Sequence, residues 1–203
     1  MPVTAPPGSW LAPAGDTLAR ALAPRGRPAA GCSRLLRHLA PGGDLDRAAG
    51  LHQQALERSE QLGGWRLAIV VLGNLGLVAA RPQELPRRRA VHLRSLHQAE
   101  SVGERRSVAE MPLELAAVES AAGSAAWAAT LSGVSQAIRQ DIGAPTAGPD
   151  QARLNGARDA AAAALGEEAF SAAHQAGPRL SAEQAVAQAK DGSWPPLTPA
   201  KPA

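Results

Sequence analysis

His52 and His92 are the first residues here whose type and spacing raise the question of chemistry, because imidazole is both a metal ligand and a proton carrier near neutral pH. They occupy the same place in successive structural units, which is the pattern of a partly exposed packing residue at a helix edge, not of a ligand pair. His97, further along from His92 on the same stretch, lies too far round a helix to share a metal with it. Glu167-Glu168 come directly after Gly166, at a helix start, where acidic side chains complement the helix dipole; that reading outweighs a catalytic pair. Arg87-Arg88-Arg89 with Arg94, then Arg105-Arg106, form the densest basic stretch. Successive helical residues point about 100° apart, so three arginines in a row spread round the helix and do not form one phosphate clamp. No aromatic side chain is interleaved there to stack on a base.

The remaining searches for chemistry return nothing. Cys32 is the single cysteine, so an internal disulfide and a CxxC redox or zinc site are excluded. There is no GxxxxGK[ST] to cradle a nucleotide phosphate, no GxSxG nucleophile elbow and no HExxH. The sequence therefore names no catalytic, cofactor-binding or metal residue, implies no cofactor, and leads to the expectation that the chain is not an enzyme.

The elements that carry these residues announce themselves by repetition. A glycine returns at a regular interval behind a large apolar side chain, as Leu62-Gly63, Val102-Gly103 and Ile142-Gly143, a period of about 40 residues. Other columns keep the same period: Leu45 with Leu85, Leu51 with Val91 and Leu131, Leu56 with Leu96, Leu75 with Leu115, and Val78 with Val118. Periods of roughly 20 to 50 residues mark repeat architectures, in which each unit is one supersecondary element that buries its apolar face only against its neighbours. Leu45, Ala48, Ala55, Leu56, Ser59 and Leu62 recur at helical spacing and share one face. Gly63 then stands where a helix end needs a left-handed backbone. Each repeat unit reads as two antiparallel helices with glycine at the turns.

Composition agrees. Of the 203 residues 46 are alanine, one is phenylalanine and none is tyrosine, which suits closely packed helices and leaves almost no strand candidates. The 21 basic and 18 acidic residues leave a net charge of only +3, too small by itself to be a nucleic-acid footprint. No run approaches the length of about 18 apolar residues that marks a membrane span. The segment 1–30, rich in proline, glycine and alanine, lacks the pattern of a signal peptide, so the expected location is the cytoplasm.

The expected fold is all-α: an antiparallel helix-hairpin solenoid of tetratricopeptide-like character, with a terminal helical cap and disordered ends. Residues 1–31 form a disordered or non-native start, 32–143 the repeats, 144–190 the cap and 191–203 a disordered proline-rich tail. Cys32 to Ala40 is expected to be the end of a helix, and further helices are expected at 44–61, 64–80, from Pro86 to about Ser101, 104–122, 124–141, 150–165, 167–176 and 181–190. Asp44 is placed to cap the first of them, and Pro112 should kink or break the fourth.

From Gly123 onward the residues suggest a family. Gly123, Ala128-Ala129, Leu131, Gly133, Ile138-Arg139 and Ile142-Gly143-Ala144-Pro145, then Leu165-Gly166-Glu167, Phe170, Ala173, Gly177, Leu180-Ser181 and Glu183-Gln184-Ala185, resemble one known stretch. It is the end of the tetratricopeptide-like region in LuxR/AfsR-type bacterial regulators, similar in layout to MalT, which join a signal-transduction ATPase to a DNA-binding domain. The resemblance spans about Asp44 to Ala189. Arg88, where a small packing residue is expected, Pro112, Ala162 in place of arginine and His174 in place of tryptophan all depart from the pattern.

The resemblance implies a sensor or protein-interaction module that takes a protein partner or inducer on the concave face of its repeats, with no direct nucleic-acid binding and no membrane. The ATPase and DNA-binding domains are absent from the sequence. Pro196-Leu197-Thr198-Pro199 looks like a linker that opens a LuxR-type helix-turn-helix, so the expectation is a fragment of such a regulator. The alternatives are a free-standing scaffold protein of the same architecture and a truncated, non-functional reading frame.

Overall fold

The computed structural model describes residues 45–79, 81–144, 149–181, 184 and 187, and of residues 47 and 149–154 the backbone only. The elements expected before Leu45, including the cap at Asp44, the 145–148 part of the expected loop, most of the 181–190 helix and the tail lie outside those residues. Among the described residues every element is a helix. In chain order they are α1 (Leu45–Gln61), α2 (Trp65–Val78), a 3₁₀ turn (Pro82–Glu84), α3 (Leu85–Ser101), α4 (Arg105–Ala121), α5 (Ala125–Asp141), α6 (Pro149–Leu165), α7 (Glu167–Ala176) and a second 3₁₀ turn (Gly177–Arg179). The all-α helix-hairpin repeat expected from the sequence is the architecture found.

Helix starts fall at residues 45, 65, 85, 105 and 125, so the hairpin period is itself two copies of a unit half as long. The unit is a helix plus a short turn, and four turns share one hydrogen-bond pattern. The amide of Gly103 donates to the Glu100 carbonyl at 3.1 Å and that of Glu104 to Ala99 at 2.9 Å. Gly123 and Ser124 donate likewise to Ser120 and Glu119, Gly143 and Ala144 to Gln140 and Arg139, and Gly63 and Gly64 to Glu60 and Ser59. This pair of bonds is the Schellman helix end, which needs its central residue in the left-handed region. The glycine φ values of +65°, +68°, +81° and +62° at 63, 103, 123 and 143 supply it. Glycine at these four places is thus a backbone requirement.

The chain divides into two compact units, one up to residue 80 and one from Arg81. In the first, α1 and α2 pair as an antiparallel hairpin, with Ala48 and Val78 in one apolar cluster beside Leu45 and Ala49. In the second, α4 packs between α3 and α5, α6 packs on both α4 and α5, and α7 with its 3₁₀ turn packs on α5. Its core holds Leu96, Met111, Leu115, Trp127, Leu131, Val134, Ala161, Phe170 and Ala173.

Burial repeats with the single-helix unit. His52, Leu72, His92, Pro112 and Ser132 are buried, and so are Ala55, Leu75, Ser95, Leu115 and Ser135 three positions on. In the column of Ala48, Ala68 and Ala128, all buried, Arg88 and Val108 are only half-buried, both side chains being larger than alanine. In α5 every residue from Trp127 to Ser135 is buried, which small Ala, Ser, Thr and Gly side chains permit because neighbouring backbones then come close.

Two expectations change here. Pro112 does not break a helix: α4 is continuous from Arg105 to Ala121 with Pro112 inside it and buried. Packing on both neighbours holds the backbone helical although Pro112 donates no amide proton. Leu62 shares the apolar face of α1 by its spacing, yet it is 60% exposed, because the helix ends at Gln61 and the glycine turn carries Leu62 off the apolar stripe.

Candidate interaction surface

The residues weighed for chemistry go to different environments and are not brought together. His52 and His92 are packing residues but not at an exposed edge: they are 5% and 0% exposed, at the same helical position that holds Leu72 in α2 and Pro112 in α4. Burial holds the His52 imidazole down at about 4, in the neutral form. Its Nδ1 meets no hydrogen-bond partner, and neither does Nδ2 of Asn74 on α2. His97 is exposed on α3. Glu167 and Glu168 are exposed in the first turn of α7, where the dipole favours them. Among the described residues no group of three or more His, Cys, Asp or Glu side chains is placed to hold a metal ion; Cys32 lies outside them.

The arginine run is dispersed by the helix. Arg87, 53% exposed, reaches Glu84 at 3.4 Å in the preceding turn. Arg88 is half-buried. Arg89 turns inward and grips Glu119 of α4 with both ends of its guanidinium, Nε to Oε1 at 2.6 Å and Nη2 to Oε2 at 2.8 Å. The Glu119 side chain is 4% exposed, so this fork-to-fork pair ties α3 to α4 from the inside. Arg105 pairs with Asp141 across α4 and α5, and Arg106 with Glu110 one turn on at 3.3 Å. Glu110 is pushed above the ordinary carboxylate value by burial, against the pull of Arg106 and Arg139.

What remains outward is mostly polar or alanine. Leu62 is the one exposed large hydrophobic side chain among the described residues. On α3 the outward strip is Arg87, Ala90, Arg94 and His97, at spacings of three and four that put them on one face. On α1 it is Gln53, Gln54, Glu57, Arg58 and Gln61, laced by Gln53 to Glu57 and Arg58 to Gln61 hydrogen bonds. Such surfaces can meet a partner through charge-assisted hydrogen bonds, and they offer no enclosed constellation for bond-making chemistry.

At the far end α7 is locked onto α5. Gly133 of α5 and Gly177 after α7 come so close that a Cβ on Gly177 would lie 2.6 Å from the Val134 nitrogen and 2.8 Å from the Gly133 carbonyl carbon. The Thr130 hydroxyl donates to the Ala173 carbonyl at 2.9 Å across the same contact. The Phe170 ring stacks on His174 at 5.7 Å and receives the Arg158 guanidinium of α6 at 5.5 Å. Burial lowers the His174 value, and Arg158 adds to it. Ser181 and Gln184 then cap each other, Gln184 N to Ser181 Oγ at 3.0 Å and Ser181 N to Gln184 Oε1 at 2.9 Å, the signature of a new helix start.

Sequence reasoning missed the Arg89–Glu119 clasp. The signal was there in part, an acid and a base on neighbouring helices, but only the pairing of α3 with α4 turns their separation along the chain into a contact. No described helix is long and apolar enough to cross a membrane. Compared with family models, with curated proteins and with solved structures, the chain has no match.

Proposed function

We propose that this chain is a non-enzymatic helical-repeat module that binds a protein partner or inducer through the polar outer faces of its helices, in the manner of the sensor region of LuxR-type regulators. The observation that carries this reading is the repeated unit itself: one helix, closed in four cases by a Schellman end, its interior positions spent on packing and its outer ones left mostly polar or alanine. Repeat arrays of this kind present long surfaces whose side chains can vary to suit a target. The resemblance to the end of such a sensor region, which spans about Asp44 to Ala189 and is most specific from Gly123 onward, supports the regulator reading, and the departures from it at Arg88, Pro112, Ala162 and His174 fall at buried or half-buried positions, not at the outer strips.

The test uses the full chain. Purified protein is expected to hydrolyse no ATP and to show no sequence preference among DNA duplexes. A partner recovered with it from its own cells is expected to reassemble from pure components as a stoichiometric complex by light scattering. Charge reversal at the outer strip of α3, R87E with R94E, should weaken that complex by roughly tenfold or more while leaving the helical melt in place. ATP hydrolysis that stays with the protein through purification, or sequence-specific DNA binding, would overturn the proposal.

A further inference from the structure

We draw no further inference here: the strongest candidate, the buried polar side chains His52 and Asn74 in the α1–α2 hairpin, each with a nitrogen that meets no hydrogen-bond partner, carries nothing because nothing in the structure shows what group would reach them.

Discussion

Gly133 and Gly177 touch backbone to backbone, Gly177 Cα lying 3.3 Å from where a Cβ on Gly133 would stand. The atoms in the way are main-chain atoms of α5, α7 and the 3₁₀ turn that follows α7, which cannot swing aside as a side chain would. Gly133→Ala and Gly177→Ala are each expected to destabilise by about 1–3 kcal/mol through overpacking, read as a lower Tm. Gly156→Ala is the control: nothing lies within 4 Å of its added methyl, and alanine at this exposed position of α6 should stabilise by about 0.5–1 kcal/mol. Equal effects at all three positions would show that the α5–α7 contact is not made.

Pro112 and Ser135 form a second test. Pro112 takes a donor from the middle of α4, while the Ser135 hydroxyl of α5 donates to the Ala109 carbonyl at 2.7 Å, one turn before it. Ser135→Ala should cost about 1 kcal/mol. Pro112→Ala restores an amide donor and removes a residue that costs about 3 kcal/mol in a helix interior relative to alanine. Against this stands roughly 1–2 kcal/mol of lost ring burial, so a net rise in denaturation midpoint is expected. A fall in that midpoint would show that the proline ring is worth more to the core than the helix bond it forgoes.

Arg89 and Glu119 behave as a unit. Arg89→Met leaves a carboxylate that is 4% exposed without its guanidinium, and a loss approaching about 3 kcal/mol is expected. The double change Arg89→Met with Glu119→Leu should recover most of it, since an apolar pair of similar volume needs no charge compensation. Urea titration of the two single variants and the double gives the coupling directly, and additive losses would contradict the clasp.

His52 sets a pH dependence. Its value falls from 6.5 when unfolded to about 4 in the fold, so the folded state resists the proton. Stability is full above pH 6.5, declines as the pH drops toward 4 and levels off below it. The total loss is about 3 kcal/mol for a shift of this size. His174, lowered as well, acts in the same direction. His52→Leu, which places in this helix the residue that α2 carries at Leu72, should flatten the decline between pH 6.5 and 4. An unchanged pH profile in that variant would assign the decline to other groups.

Much of the fold was legible because its signals are local. The glycines at 63, 103 and 143 mark helix ends whose hydrogen bonds reach only into the turn just before them, and the apolar columns follow the helix's own geometry. Pro112 misleads because propensity is a local cost and the packing that overrides it is not. The spacing of the histidines separates them from ligand chemistry, but it does not show their depth: a side chain at a stripe's edge is buried or exposed according to which neighbour covers it. Of the outer surface, the dispersal of Arg87, Arg88 and Arg89 follows from helical angles, whereas the inward turn of Arg89 requires a partner on the next helix.

By itself the sequence determined the class of object: helices, their ends, their period, and the absence of recognisable catalytic motifs. Backbone requirements and periodicity are written residue by residue. The tertiary structure decided which faces close, through the Gly133–Gly177 approach, the Arg89–Glu119 clasp and the burial of His52 and His92. These depend on residues brought within contact range by packing, and contact energies act over a few ångströms in space whatever the distance along the chain.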